Sequence, residues 1–307
     1  MKIISIVVPI YNEHENILLL SEEITAILTH NNIQFELLFI DDGSQDNSWN
    51  IIRMLHSKHD NILGLRFSRN FGHQAAILAG ITYAKGDAII TMDGDFQHPP
   101  SLLPRLIIEW ERGAQVVLTR RIDHSDIIFT KRITSRAYYA LHSLLSDQPI
   151  QPGSSDFRLI DKSIRSHIIK LKYSEVFLRG AVEFLGFPSV TVSFVANKRR
   201  AGISKFTFKK MLYLARGGLI AHSSAPLYIS IYNGIFSGTL CIVYIIYAVT
   251  MYLSDKALPG WTSLIAVNLA LFSIHFLTQG ITSLYIDDIH RLIKNRPKYI
   301  INDRAGI

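Results

Sequence analysis

Two long stretches without charged residues restrict the fold of this 307-residue chain more than any other feature. Residues 217–254 contain no Asp, Glu, Lys or Arg, and neither do residues 257–286. A helix that spans a bilayer needs about 20 such residues, and soluble helices rarely run this long without a charged edge. The stretches therefore predict two transmembrane helices, near residues 228–253 and 262–285. Two long buried core helices are the alternative interpretation.

The charged residues around this pair are distributed unequally. The loop between the stretches carries Asp255 and Lys256, whereas both outer flanks are basic. The flanking basic residues are Lys198, Arg199, Arg200, Lys205, Lys209, Lys210 and Arg216 before the pair, and Arg291, Lys294, Arg296, Lys298 and Arg304 after it. By the positive-inside rule, both flanks and both termini are cytoplasmic, which predicts a multi-pass protein of the inner membrane. Topology and contact with anionic lipid then explain much of the net charge of +7 without nucleic acid.

In the first 195 residues, short β-rich runs alternate with helical patterns such as residues 15–30. The runs are nearly continuous in hydrophobicity, as strands buried on both faces are: IISIVVPI, FELLFI, ILGLRF, DAIITM and AQVVLT. This alternation predicts an α/β domain with a mainly parallel sheet. The predicted organisation is a cytoplasmic α/β domain over residues 1–195, an interfacial amphipathic segment over 196–225, two transmembrane helices over 226–286 and a basic cytoplasmic tail over 287–307.

Acidic side chains follow three of the predicted strands. Glu13 follows the first strand, Asp41 and Asp42 end the second, and Asp93 and Asp95 follow the fourth. Ligands of open α/β sheets bind beyond the carboxyl ends of the strands, so these acids are expected at one rim. An ordinary solvated loop explains any one of them equally well, but it explains poorly why three loops at one edge are acidic.

The acidic rim favours a cation and a phosphorylated ligand. No GxGxxG or GxxxxGK[ST] pattern follows the first strand, so neither a dinucleotide fold nor a P-loop is supported. A phosphorylated ligand at such a rim needs a cation between the two. Asp95 and Gln97 offer oxygen ligands, which favour Mg²⁺ or Mn²⁺ over zinc. The single cysteine, Cys241, offers no thiolate zinc site.

The stretch MDGDFQHPP, residues 92–100, carries two further expectations. Gly94 lies between the two acids and is expected to let the backbone come close to a ligand. His14, His73 and His98 do not have the spacing of a metal site. His98 is therefore expected to form local hydrogen bonds instead of binding a metal.

Several motifs together resemble a known family. VVPIYNE, DDGSQD, RNFGHQAAILAG and MDGDFQHPP, in this order and spacing, are similar to the inverting family 2 glycosyltransferases of GT-A fold. With SDFRLID, RRAGISKF and two carboxyl-terminal membrane helices, the chain most resembles polyprenyl-phosphate glycosyltransferases. This group includes bactoprenol glucosyltransferases, undecaprenyl-phosphate aminoarabinose transferases and dolichyl-phosphate mannosyltransferases. The resemblance runs from about residue 4 to about residue 299.

The resemblance assigns roles to individual positions. Nucleotide-sugar binding falls on Pro9, Tyr11, Glu13, Asp41, Asp93, Arg199 and Lys205. Asp95 and Gln97 match the metal ligands, and the segment of Arg199 closes over the donor diphosphate. The acceptor phosphate falls on Arg120 or Arg121, and on Arg132 with Ser135. The alternative for these basic residues is a positive-inside flank that contacts lipid headgroups.

The implied reaction moves a sugar from a nucleotide-sugar to a lipid phosphate with inversion. Asp95, Asp156 and Arg199 are the implied catalytic residues. Asp156 matches a position often proposed as a general base, but a phosphate monoester with a second pKa of about 6 needs little help from one. Orientation of the sugar or of Arg158 is an equally good role for Asp156. UDP-glucose or another UDP-hexose and undecaprenyl phosphate are the expected substrates.

Two other functions compete with this interpretation. A processive polysaccharide synthase shares the GT-A core but adds a QxxRW motif and further membrane helices, neither of which the sequence contains. A non-catalytic membrane scaffold would be expected to have lost Asp95, Gln97 or Arg199, and all three are present. The membrane helices are compatible with a homo-oligomer. The resemblance also implies that a separate flippase moves the lipid product outward and that a second glycosyltransferase uses it for O-antigen, lipid A or other cell-envelope glycan modification.

Overall fold

The computed structural model describes residues 2–122, 154–171, 178–195, 225–254, 260–294 and 296–307. Four predicted site residues, Arg132, Ser135, Arg199 and Lys205, lie outside the described residues, as does nearly all of the predicted interfacial segment.

The described residues form one eight-stranded sheet in the order β7-β5-β6-β4-β1-β2-β3-β8. The strands are β1 (Ile3–Ile10), β2 (Gln34–Asp41), β3 (Ile62–Phe67), β4 (Ala88–Thr91), β5 (Val116–Ile122), β6 (Ser154–Asp161), β7 (Ser189–Val195) and β8 (Ile301–Ala305). The helices are α1 (His14–His30), α2 (Ser48–Lys58), α3 (His73–Tyr83), α4 (Leu103–Glu111), α5 (Lys162–Lys170), α6 (Leu178–Phe184), α7 (Ala225–Leu253) and α8 (Trp261–Lys294). A short 3₁₀ turn, Pro100–Leu102, precedes α4.

The mainly parallel sheet predicted from the alternating pattern is confirmed. Strands β3, β2, β1 and β4 pair in parallel, and so do β5 and β7. The central strand β1 is buried at every position after its first. Apolar side chains of the sheet form one cluster with α1, α2 and α4 on one face and another with α3, α5 and α6 on the other. Continuous hydrophobic runs become strands here because helices cover both faces.

Two strands run against this direction. Strand β6 lies between β4 and β5 and is antiparallel to both. It carries polar residues that are buried, among them Asp156 and Arg158, which are 7% and 4% exposed. A strand with charged side chains at the core does not show a hydrophobic run, so the sequence pattern did not reveal it.

The carboxyl-terminal segment differs from the predicted basic tail. Helix α8 continues to Lys294, and β8 then pairs antiparallel with β3 at the edge of the sheet. Tyr299 stacks on Phe67 with ring centroids 5.1 Å apart, and the Trp49 indole donates to Asp303 at 2.9 Å. The chain therefore returns to the α/β domain after its long helices, because β3 offers an unpaired edge and an apolar surface.

The two predicted membrane helices correspond to α7 and α8. In the described part of the chain, one helical segment, Tyr232–Met251 in α7, is long and apolar enough to cross a membrane. Its large apolar side chains are exposed, as those of Phe236 and Ile246 show at 63% and 61%. The second span remains a prediction.

Candidate active site

The loops after β1 and β2 are tied together at the carboxyl edge of the sheet. Asn12 has a positive φ of 54°, and its backbone N–H donates to Ser44 Oγ at 2.9 Å. Its side-chain Oδ1 accepts the backbone N–H of Gln45 at 2.8 Å. The Glu13 N–H donates to Ser48 Oγ at 3.2 Å. Two strand ends thus form one wall, in agreement with the expectation that the carboxyl ends of the strands meet at one rim.

Asp41 lies at the base of this wall and its side chain is fully buried. Its Oδ1 accepts the Ser44 N–H at 2.8 Å, and Arg66 Nε lies 3.4 Å from its Oδ2. Burial raises the pKa of the Asp41 carboxyl above its usual range. Among the described residues, Oδ2 has no hydrogen-bond partner. A buried carboxylate oxygen without a donor is costly, so this atom is suited to a donor supplied by a ligand.

Asp42 fixes the loop that leads into α3. Its carboxylate accepts the backbone N–H groups of Phe71 at 2.6 Å and Gly72 at 3.0 Å. Burial raises the pKa of Asp42 to about 6, against the opposing effect of these two N–H groups. The resemblance assigned no role to Asp42, and the structure shows it as the support of the β2–α3 contact.

Asp42 is expected to make the stability of the protein depend on pH. Below pH 3.8 the carboxyl is protonated in both states, and between 3.8 and about 6 it is protonated in the folded state alone. The free energy of unfolding therefore falls as pH rises through this window, by about 3 kcal/mol at most. Thermal unfolding of the wild type and of Asp42→Asn at pH 4.5 and 7 measures the effect. From pH 4.5 to pH 7, the wild type should lose more thermal stability than Asp42→Asn, because the asparagine does not titrate. The same change in melting temperature for both proteins would contradict the raised pKa of Asp42.

Gly43 is required by the same turn. It has a φ of +70°, and a Cβ there would lie 2.5 Å from the Arg69 carbonyl carbon and 2.8 Å from the Asn70 nitrogen. Gly43→Ala is therefore expected to lower the free energy of unfolding by more than about 2 kcal/mol, through strain and a backbone clash. Gly113→Ala is the matched control, because Gly113 has a φ of +106° and no described atom within 4 Å of a Cβ. Equal melting temperatures for the two variants would show that the clash is absent.

The turn after β4 carries the predicted metal ligands. Asp95 accepts the Gln97 N–H at 3.1 Å and its side-chain amide at 2.8 Å. Gln97 Oε1 in turn accepts from Arg121 Nη1 at 3.0 Å. Phe96, between the two, is buried and has a positive φ of 63°. A left-handed conformation is unfavourable for a bulky side chain and is typical of functional turns.

Gly94 allows a close approach within the protein, and its expected approach to a ligand stays a prediction. A Cβ at Gly94 would lie 2.8 Å from Ile10 Cδ1 and 3.5 Å from the Pro9 carbonyl oxygen. The close approach is therefore between the β4 turn and the end of β1. The glycine brings Asp93 and Asp95 against the first strand end.

Asp156 on β6 lies on the other side of this turn and is 7% exposed. Its Oδ2 accepts from Gln74 Nε2 at 3.1 Å, and its Oδ1 lies 3.4 Å from Arg158 Nη2. His73 Nε2 lies 3.8 Å from Asp156 Oδ2 and 3.3 Å from Asp93 Oδ1. The structure thus brings the predicted acids of β4 and β6 together around one imidazole.

His73 and Gln74 are the site residues that the sequence reasoning missed. They begin α3, directly after Gly72, and the motif RNFGHQ that contains them was noted without a role. His73 is 44% exposed at its side chain, so it lies at the open surface of the site. Gln74 also accepts the Leu178 N–H at 3.1 Å and so fixes Asp156 to α6. The place of His73 between two acids depends on the packing of α3 against β4 and β6, which the spacing of histidines along the chain does not encode.

The two adjacent arginines of β5 separate in the structure. Arg121 contacts Gln97, whereas Arg120 is in register with Ser154 of β6. Successive side chains of a strand point to opposite faces, so Arg121 is the one beside the turn that carries the predicted metal ligands. Which of the two arginines binds the acceptor phosphate stays a prediction.

A comparison with known protein families matches the part of the chain that contains this site. The model of glycosyl transferase family 2 matches residues 5–169, more than half of the chain and nearly all of the strand ends described above. The chain belongs to glycosyltransferase family 2. The recognition made from the motifs is confirmed, and the mostly parallel α/β sheet is a GT-A-like fold.

Relatives of this family 2 glycosyltransferase cover nearly its full length. It is 38% identical over 305 residues to an uncharacterized glycosyltransferase of Bacillus subtilis (strain 168), covering 99% of this chain and 94% of the relative. It is 34% identical to a bactoprenol glucosyl transferase of Shigella phage SfII, covering 97% of each. It is 33% identical to a prophage bactoprenol glucosyl transferase homolog of Escherichia coli (strain K12), covering 97% and 98%.

Solved structures resemble about three quarters of the chain in fold. Glucosyl-3-phosphoglycerate synthase from Mycobacterium tuberculosis in complex with phosphoglyceric acid has a TM-score of 0.50 and 19% identity, covering 72% of this chain and 78% of that one. The same enzyme with Mn²⁺, UDP-glucose and phosphoglyceric acid also has a TM-score of 0.50, at 18% identity and the same coverage. At this identity the likeness shows the fold.

Proposed function

We propose that this family 2 glycosyltransferase transfers a hexose, with UDP-glucose as the first candidate donor, to undecaprenyl phosphate with inversion. The observation that carries the proposal is the similarity to bactoprenol glucosyl transferases along 97% of both chains. That similarity includes the two long helices, which a transferase acting on a soluble acceptor does not need. The acidic rim of the sheet supplies the donor site.

The proposed donor site lies on the first three loops of the rim. Pro9, Tyr11, Glu13, Asp41 and Asp93 hold the base and ribose, as the family pattern implies. Arg199 and Lys205 are proposed to close over the diphosphate. Arg121 is the described candidate for the acceptor phosphate, together with Arg132 and Ser135.

A divalent cation fits the turn after β4. Asp95 and Gln97 supply oxygen donors, and Mg²⁺ and Mn²⁺ are commonly held by one or two carboxylates together with substrate phosphates and water. Within the described ranges, no cluster of three or more His, Cys, Asp and Glu is found. We propose that oxygens of the donor diphosphate complete the coordination of the cation. Asp93 Oδ1 accepts no hydrogen bond among the described residues, and His73 Nε2 lies 3.3 Å from it, so this oxygen and its imidazole neighbour lie beside the proposed cation. When bound, the cation supplies charge stabilisation for the leaving diphosphate.

The chemistry follows from charge. An oxygen of the acceptor phosphate forms a bond to the anomeric carbon while the bond from that carbon to the UDP oxygen breaks, and UDP leaves with the electron pair. The acceptor is mostly dianionic at pH 7 and loses no proton in the step. Asp156, held by Gln74 and beside Arg158, is proposed to orient the sugar.

The donor half of this proposal is tested by calorimetry on the protein in detergent. UDP with Mn²⁺ is expected to bind, and omission of the metal is expected to weaken binding at least about 10-fold. GDP with Mn²⁺ is the matched ligand. Tighter binding of GDP than of UDP would indicate that the donor is a GDP-sugar. Failure of both nucleotides to bind would favour the non-catalytic scaffold.

The position of β8 supports a membrane topology with two spans. Strands β1 to β8 belong to one sheet, so all eight strands lie on the same side of any membrane. A chain that leaves this side once through Tyr232–Met251 must cross again before Ile301. Helix α8 is the element between them, and we propose that it provides the second span with the catalytic domain in the cytoplasm.

Single cysteines test this topology. Both variants carry Cys241→Ser, so that each has one cysteine. With Lys256→Cys, this cysteine is expected to react with a membrane-impermeant maleimide added outside intact cells. A cysteine at the exposed Asn302 is expected to react only after the cells are opened. Labelling of Asn302→Cys from outside, or of neither position, would contradict the proposed arrangement.

The remaining steps of the proposal follow from the product. A sugar on a lipid phosphate in the inner leaflet must be moved outward by a flippase before a second glycosyltransferase can use it. Modification of O-antigen, lipid A or another cell-envelope glycan is the proposed destination.

A further inference from the structure

His98 occupies a buried position between the two acid-bearing strand ends. It is 6% exposed, and its ring stacks on Phe157 with centroids 5.0 Å apart and meets Phe194 edge-on at 5.9 Å. Its Nδ1 lies 2.9 Å from the backbone nitrogen of Asp93, and its Nε2 lies 2.8 Å from Ser155 Oγ. Both ring nitrogens are therefore engaged in the core.

The partners determine which nitrogen carries the proton. The Asp93 backbone N–H can only donate, so His98 Nδ1 accepts and the hydrogen of the ring resides on Nε2. Nε2 then donates to Ser155 Oγ, which also accepts the Phe157 N–H at 3.2 Å. The imidazole is thus a directed link from β6 to the backbone of the β4 turn.

This link joins the residue next to Asp156 with the residue that begins the proposed metal turn. Asp93 lies two positions before Asp95, and Ser155 directly precedes Asp156. The link is short at both ends and is packed between aromatic rings, so it sets the separation of the two acidic groups. The turn itself contains the unfavourable φ of Phe96, which needs support from its surroundings.

We propose that His98 is a positioning residue for the glycosyl transfer: through its Nδ1 it holds the Asp93–Gln97 turn in the conformation that accepts the metal and the donor diphosphate. It contacts neither substrate nor metal itself. The proposal rests on the proposed function of the site and adds a residue to it. Removal of a group that hydrogen-bonds a metal ligand directly typically costs about 10–100-fold in metal affinity or activity, and we expect an effect near the lower end of this range for His98.

The test compares three variants by calorimetry with Mn²⁺ and UDP, by kcat and KM, and by thermal unfolding. His98→Phe keeps the ring stack and loses both hydrogen bonds. It is expected to bind Mn²⁺ with UDP at least about 10-fold more weakly and to lose kcat at least about 10-fold. His98→Asn can accept from the Asp93 N–H and is expected to keep most of the wild-type affinity and kcat. His98→Gln can reach only Ser155 and is expected to be as impaired as His98→Phe.

Several outcomes separate the possibilities. Wild-type binding and kcat in His98→Phe would overturn the positioning role and leave the proposed function standing. Absence of Mn²⁺ and UDP binding by the wild type would overturn the proposed function. If all three variants lose binding and kcat only to the extent that their melting temperatures fall, with no advantage for His98→Asn, then His98 has a merely structural role and the proposal is overturned. If His98→Phe does not fold, Ser155→Ala decides: it is expected to weaken Mn²⁺ and UDP binding several-fold, and unchanged binding would overturn the proposal.

Discussion

An Asp95→Asn variant is expected to lose at least about 100-fold of the transfer rate while it keeps the fold. Asp95 is the only carboxylate of the proposed ligand pair, and both of its oxygens already face Gln97. The amide has one oxygen and no charge, so the charge that stabilises the leaving diphosphate is lost with it. The concentration of Mn²⁺ at half-maximal rate should rise in parallel. Asp60→Asn, at an exposed carboxylate, is the matched control and should behave as the wild type.

The same measurement on Asp156→Asn distinguishes its two roles. If Asp156 orients the sugar, the asparagine can still accept from Gln74 and measurable activity should remain. If Asp156 is a general base, its variant should be as inactive as Asp95→Asn. A wild-type rate in Asp95→Asn would place the metal elsewhere.

Removal of residues 297–307 is expected to lower the free energy of unfolding by at least about 3 kcal/mol, which corresponds to a melting temperature lower by about 6–12 °C. The truncated chain loses the β3–β8 ladder, the Trp49–Asp303 hydrogen bond of 2.9 Å and the stacking of Tyr299 on Phe67. Each of these is worth on the order of 1 kcal/mol.

The truncation is also expected to weaken UDP binding. Arg66 is the register partner of Asp303, and it contacts both Asp41 Oδ2 and the Ser44 carbonyl oxygen, the latter at 3.2 Å. Loss of β8 frees the strand that positions this arginine beside the proposed nucleotide site. Asn302→Ala changes an exposed side chain of the same strand and is the control. A truncated chain with wild-type melting and wild-type UDP affinity would show that β8 adds nothing to the domain.

The sequence predicts strands well where burial on both faces leaves a continuous apolar run. All five predicted strands, β1 to β5, are present for this reason. Strand β6 is hidden because Asp156 and Arg158 alternate with its apolar residues and are buried as a pair. Strand β8, INDRA, is mostly polar and is held by an edge and by side-chain contacts that no local pattern encodes.

In the candidate site, too, some positions follow from local sequence patterns and others depend on contacts between distant segments. The rule that ligands meet the carboxyl ends of parallel strands predicted that Asp41, Asp93 and Asp95 share one rim. The positions of His73, Gln74 and His98 depend on how the β4 turn, α3 and β6 pack against one another. Such contacts join residues 57 to 82 positions apart in the chain, so spacing within a motif does not reveal them.

The central claim is tested most directly by transfer of radiolabel from UDP-glucose to undecaprenyl phosphate by the purified protein in detergent. Label is expected to enter the lipid phase only when both the acceptor and Mg²⁺ or Mn²⁺ are present, and to be lost with Asp95→Asn. Transfer from another UDP-hexose under the same requirements would change the sugar and keep the reaction. Binding of UDP and Mn²⁺ without transfer of any hexose to the lipid phosphate would contradict the account.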